Sequence, residues 1–285
     1  MYTDNVRKYL TIALVVGWVI TLVYFFLGIA GKARSRLQFA KIRKSEIASL
    51  TVPTKPIDNA LVLLRKRKDK DALVILDKIL LSEPNNIDAR WAKAEVFRRA
   101  HQYKVAELIF NEVLNSSPDY AKALISLSYI RYRENKLKEA LGLVNSVLDL
   151  PNLDNESKAL AFSMQGLLYG RRLSNGEFTE KINFGALSKD RFLKALDLAP
   201  NLAEVHANLG RFYLLAPIDL GGDLNMAFNE LELAVAIAPD FATSQALLAK
   251  AYKKKGDIEN YNIYFKISKG LDPKNEIVLD IENNR

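Results

Sequence analysis

Six of the nine prolines in this chain fall at intervals that suit a stack of helices. Pro84, Pro118, Pro151, Pro200, Pro239 and Pro273 are separated by 34, 33, 49, 39 and 34 residues. Proline has no amide hydrogen and clashes with the preceding turn, so it stops a helix. A stop that returns at periods near 34 demands a search for repeated units. Such a unit cannot bury its apolar face alone, so neighbouring units must stack into a solenoid with a shared core.

With each proline at position 32 of a 34-residue unit, residue size aligns as well as period. Ala72, Ala106 and Ala140 fall at or next to position 20, Phe110 and Phe265 at position 24, and Ala195 and Ala234 at position 27. The small residue at position 8 recurs as Ala60, Ala94, Gly166, Gly210 and Ala249, with an aromatic three residues on in Phe97, Tyr169, Tyr213 and Tyr252. This pattern resembles the tetratricopeptide repeat (TPR) family over about residues 53 to 274. The resemblance implies an all-α fold, a right-handed α-solenoid of about six helix-turn-helix repeats, and a single transmembrane helix is expected ahead of it from the charge-free run described below. Small residues at 8, 20 and 27 would let helices approach, and aromatics at 11 and 24 would fill the space between units.

The units expected are 53–86, 87–120, 121–154, 155–201, 202–241 and 242–275, followed by an acidic and polar tail at 276–285. Two depart from the period. In the fourth, Gly166 and Pro200 are ten residues further apart than the family spacing, which places a turn-rich insertion at 173–187. In the fifth, an insertion at 216–223 holds Gly221-Gly222-Asp223, a turn and a helix cap. That turn resembles one in the periplasmic TPR subunits of TRAP-type transporters, which are typically lipoproteins; this chain has no cysteine to carry the lipid.

Ahead of the repeats, Tyr9 to Gly31 carries no charge. As a helix it would reach roughly 34 Å, enough for a bilayer core. It is expected to be a transmembrane helix after a short flank at 1–8, with a basic stalk and linker at 32–56. The competing reading is a cleaved signal peptide, but Lys32, Arg34 and Arg36 crowd the cleavage sites after Ala30 or Ala33. Six Lys/Arg follow the span and two precede it, which puts the repeats on the cytoplasmic side, with a periplasmic or luminal domain as the alternative. Membrane lipid is the expected contact of residues 9–44. Ala13, Gly17 and Thr21 would share one helix face, as a homo-oligomer packed through its spans requires, or simply reflect how common small residues are there.

The net charge of +8 is concentrated at the start: residues 1–50 hold eight basic and two acidic side chains, the remaining 235 residues 33 and 31. A nearly neutral solenoid does not track a phosphate backbone, so no nucleic-acid partner is expected. The absence of cysteine removes disulfides, thiolate metal sites and a Cys nucleophile. No nucleotide or hydrolase motif is present, and His101 and His206 lack a second ligand at metal spacing. Asp219 and Asp223 lack the order of a calcium loop. An enzyme, a cofactor and a metal are therefore not expected.

In TPR proteins the first helices line a concave groove through positions 2, 5, 9, 12 and 13. Here the resemblance assigns Asp88, Trp91, Glu95, Arg98 and Arg99, then Lys122, Ile125, Tyr129, Tyr132 and Arg133. Later units add Leu160, Ser163, Leu167 and Arg171, then Glu204, Ala207 and Arg211, then Lys250, Lys253 and Lys254. Nine basic side chains against three acidic ones make the expected partner an acidic peptide segment with apolar anchors. Equally, long Lys and Arg side chains can simply solvate a helix face. The family's chaperone clamp resembles Lys and Asn at positions 5 and 9 with Asn at position 6 of the next unit; Trp91, Glu95 and Ser126 stand there instead. The expected function is a membrane-anchored scaffold or adaptor, the alternative an accessory subunit of a transport, secretion or envelope machine.

Overall fold

The computed structural model describes residues 55–173 and 178–283. The expected flank, membrane span and most of the stalk, residues 1–54, lie outside the described residues, as does the small-residue face at Ala13, Gly17 and Thr21. Among the described residues no helix is long and apolar enough to cross a membrane. All regular elements described are helical: α1 (Pro56–Arg65), α2 (Asp69–Ser82), α3 (Ile87–Arg99), α4 (Tyr103–Ser116), α5 (Ala121–Arg133) and α6 (Leu137–Leu148). They continue with α7 (Asn155–Leu173), α8 (Phe178–Leu198), α9 (Ala203–Leu215), α10 (Leu224–Ile237), α11 (Ala242–Lys255), α12 (Ile258–Leu271) and α13 (Glu276–Glu282).

Each period proline lies just after an even-numbered helix, where its missing N–H is no loss. The turn inside a unit is also periodic. Arg67, His101 and Asn135 adopt φ near +60°, 34 residues apart each time, and Gly256 takes the same role in the last unit with φ 84°. The left-handed region is ordinary for Gly and tolerated by Asn. For Arg67 and His101 it is a strained choice, and both side chains reach far across the molecule, as described below. Helix starts are capped where the sequence supplies an acceptor: Asn86 accepts from Ala89 N at 3.0 Å, Asp257 from Asn260 N at 3.1 Å and Asn275 from Ile277 N at 3.0 Å.

Successive odd-numbered helices touch one another, whereas even-numbered ones make no comparable mutual contact, so the odd-numbered set forms the inner layer of the curved stack. Ala60, Ala72, Ala94, Ala106, Ala140, Ala195, Ala234 and Ala249 are fully buried between layers. Close approach is most constrained at two glycines. A Cβ on Gly166 would lie 2.5 Å from the Phe192 ring, and one on Gly210 would lie 2.7 Å from Leu231 Cγ. Phe110 fills the matching space in the second unit with no exposure; burying such a side chain contributes about 1.5–3 kcal/mol. Trp91 packs against the apolar clusters of both the first and second units, so the core is continuous along the stack.

Two expectations about the units change. The insertion at 173–187 is not turn throughout: α8 begins at Phe178, so most of the added residues lengthen a helix. Residues 276–282 are not a loose tail but the short helix α13, whose Ile277, Val278 and Ile281 are buried. The insertion at 216–223 is a compact turn: a 3-10 segment at Ile218–Leu220, Gly221 with φ 92°, and Asp223 capping α10 through Asn225 N and Met226 N. Its carboxylate is thereby committed to a helix start.

Candidate functional site

The inner layer carries two clusters of ion pairs. The first is centred on Glu95 of α3, which holds both Arg98 and Arg99 of the same helix. Arg99 also reaches Asp69 at the start of α2, at 2.8 Å, and donates to the Leu64 carbonyl. Burial alone would raise the Glu95 carboxyl, but Arg98, Arg99 and Arg67 hold it down at about 2. Ser126 of α5 donates to Glu95 at 3.0 Å while accepting from Trp91 Nε1 at 3.2 Å. The three positions where a carboxylate clamp would sit are thus tied into a Trp–Ser–Glu chain whose carboxylate is already taken by Arg98 and Arg99.

The strained turn at Arg67 closes this cluster across the stack. Arg67 pairs with Glu204 of α9 at 2.6 Å, and its guanidinium lies 4.1 Å from the centre of the Phe241 ring. Its neighbours Arg65 and Lys68 pair with Glu156 and Asp240. Burial and the nearby Arg99 charge lower the Arg67 pKa, and Glu204 opposes them. The first unit therefore touches the fourth and the fifth, and the groove is bridged on that side by the chain itself.

The second cluster is centred on Glu276, the first residue of α13. Arg133 of α5 holds one of its oxygens at 3.1 Å and Arg211 of α9 the other at 2.6 Å. Burial would raise this carboxyl, and Arg211, Arg133 and Arg171 more than offset that, so its pKa is lowered. Lys250 stands close to Arg211 and Asp280; burial lowers its pKa, with Asp280 opposing. Arg171 lies 5.1 Å from the Tyr132 ring centre, and Arg98 4.3 Å from that of Tyr129. Four residues before Glu276, Asp272 engages Nε2 of His101, the other strained turn residue, at 2.9 Å.

The expected groove residues therefore divide. Glu95, Arg98, Arg99, Tyr129, Arg133, Arg171, Arg211 and Lys250 gather in or beside the two clusters. Trp91 and Lys122 stack at 5.1 Å beside Asp88. Tyr132 is not a lining residue: at 2% exposure its ring belongs to the core between α5, α6 and α7. Lys253 lies over Tyr261 of α12, and Lys254 donates to the Leu214 carbonyl at the end of α9, so both face helix neighbours instead. The expected excess of positive charge is also smaller than the position count implies. Asp69, Asp272 and Glu276, which that count omitted, supply carboxylates. Counting 34 residues on from Ala242 puts Glu276 at the start of a seventh unit, with Asn275 capping its helix as Asn86 caps the helix that opens the second.

The histidines are engaged within the chain. His206 is fully buried, with Nδ1 2.6 Å from Glu230 and Nε2 2.8 Å from the Pro200 carbonyl. His101 bridges Tyr103 and Asp272. Among the described residues no group of His, Cys, Asp and Glu is arranged to hold a metal ion.

No protein-family model matches this chain, and no curated protein matches it. It is similar in structure to human IFIT1 in a dimer with PPP-AAAA, with a TM-score of 0.53 and 19% identity over 75% of this chain and 48% of that one. PilF of Pseudomonas aeruginosa matches with a TM-score of 0.44 and 21% identity, over 81% of this chain and 96% of its own. YrrB, a TPR protein with an unusual peptide-binding site, matches with a TM-score of 0.37 and 14% identity, over 73% and 97%. Likeness at these identities concerns the fold. The stacked helix pairs, the 34-residue turn period and the likeness to IFIT1 make the described residues an all-helical stack that resembles TPR solenoids.

Proposed function

We propose that this chain is a membrane-anchored scaffold that binds partner proteins through the concave layer of its solenoid. The preferred partner is an acidic peptide segment with apolar anchors. The observation that carries this reading is the Glu276 cluster: arginines on α5 and α9 grip a carboxylate presented by a short helix whose apolar side chains are buried beside it. A surface that holds such a segment within the chain has the charge and the shape to hold one from outside. The charge-free run at 9–31 supports the anchor, and the basic residues after it support a cytoplasmic solenoid. The role is one of binding rather than catalysis.

Peptide selection tests the reading. Displayed random peptides would be selected against the full chain in detergent, and the survivors should be acidic with Leu, Ile or aromatic anchors. Their affinity should fall as salt rises. Absence of enrichment, or enrichment of neutral or basic sequences, would count against the concave layer as the binding surface.

A further inference from the structure

We propose that residues 272–282, the last piece of the inner layer, are a replaceable end of that layer and that an acidic partner binds by taking their place. This rests on the reading of the concave layer given above.

The segment has the chemistry expected of the partner. Asp272, Glu276, Asp280 and Glu282 supply negative charge, and Ile277, Val278 and Ile281 supply buried apolar anchors. Its carboxylates engage units far away in sequence: Asp272 meets His101 of the second, and Glu276 meets Arg133 of the third and Arg211 of the fifth. A helix of seven residues has little stability of its own, so α13 persists through these contacts. Its helix contacts are to α11 and α12. Release without replacement would take from Arg133 and Arg211 the carboxylate they share, which is unfavourable in a site where all three side chains are at most one-fifth exposed. Departure is therefore coupled to the arrival of another carboxylate, and the exchange selects for acidic partners. A site occupied most of the time by its own segment binds a competitor with an affinity reduced by that occupancy.

The test uses the full chain in detergent and a fluorescein-labelled peptide of residues 271–283. Asp272→Asn with Glu276→Gln removes both carboxylates while keeping side-chain shape. The double variant should bind the peptide about tenfold more tightly than the unmodified chain. Its α13 amides should exchange about tenfold faster, and adding Arg133→Gln and Arg211→Gln should abolish the gain. Circular dichroism checks that the remaining helices persist; if they do not, Ile281→Ser, which weakens only the apolar anchor, gives the same comparison. If the unmodified chain binds the peptide as tightly as the variant, the exchange is refuted while the concave layer stands as the binding surface. If α13 loosens and no peptide binds to either form, both readings fail. Unchanged exchange and affinity in the double variant would make the Glu276 contacts fixed architecture and overturn the proposal.

Discussion

The cluster around Glu95 and the cluster around Glu276 use the same guanidinium–carboxylate chemistry but draw their carboxylates from different places. Glu95, Asp69 and Glu204 belong to helices of the repeat units, and with Arg67, Arg98 and Arg99 they make three charges of each sign. Glu276 belongs to a single short helix at the end of the stack, and two arginines from different units depend on it. Similar ion pairs can therefore serve as a fixed brace in one half of the layer and as a replaceable contact in the other. What separates them is how much apolar structure moves when the carboxylate leaves.

The largest effect should come from breaking the brace. Glu95→Ala strands Arg98 and leaves Arg99 with Asp69 alone, in a site where Glu95 is 6% exposed, and it should cost about 3–5 kcal/mol in chemical denaturation. Arg98→Ala should cost a similar amount. An exposed helix-face arginine would change stability by no more than about 0.5 kcal/mol, so such a small change at Arg98 would show that the cluster is not a brace. Removing Arg67 should come next. Arg67→Ala loses both Glu204 and the Phe241 stack, at about 2–3 kcal/mol, and should open the first unit from the fifth, visible as a larger radius in small-angle scattering.

Acid should sharpen the comparison. The carboxyls of Glu95 and Glu276 are both lowered on folding, so their stabilisation is complete above the ordinary value of 4.5 and is lost as pH falls through the folded value. For Glu95 that value is about 2, so the brace should persist at pH 3.5, checked as protection of α3 amides. Loss of that protection near pH 4.5 would contradict the assigned pairing. The smallest effects should come from the exposed bridges. Arg65→Ala should cost less than about 1 kcal/mol and Lys68→Ala should have a small effect too, and both differences should shrink in high salt when unfolding is followed by circular dichroism.

Much of the fold was legible because it depends on local period and residue size. Prolines mark the helix ends, and the alanines and glycines at close approaches declare themselves by recurrence. The helix α8 was less visible, since Asn175-Gly176 reads as a turn and masks the amphipathic run that follows it. The helix α13 was missed because no proline closes it. For the site, position within the repeat picks out Arg98, Arg99, Arg133 and Arg211 of the two clusters, but also Lys253 and Lys254, which face helix neighbours, and it gives none of their partners. Arg67 with Glu204, Arg133 with Glu276 and His101 with Asp272 lie 137, 143 and 171 residues apart, and they meet only because the stack curves. Tyr132 shows the limit of position alone: it occupies a lining position, yet its ring completes the core.

Hydrogen exchange on the full chain, with and without saturating acidic peptide selected against it, tests the central claim most directly. The amides of α13 should lose protection when the peptide binds, while those of α3 beside Glu95 keep theirs. Protection of α13 that stays the same or rises on binding would contradict the account, since the peptide would then be sharing the surface with residues 272–282 rather than replacing them.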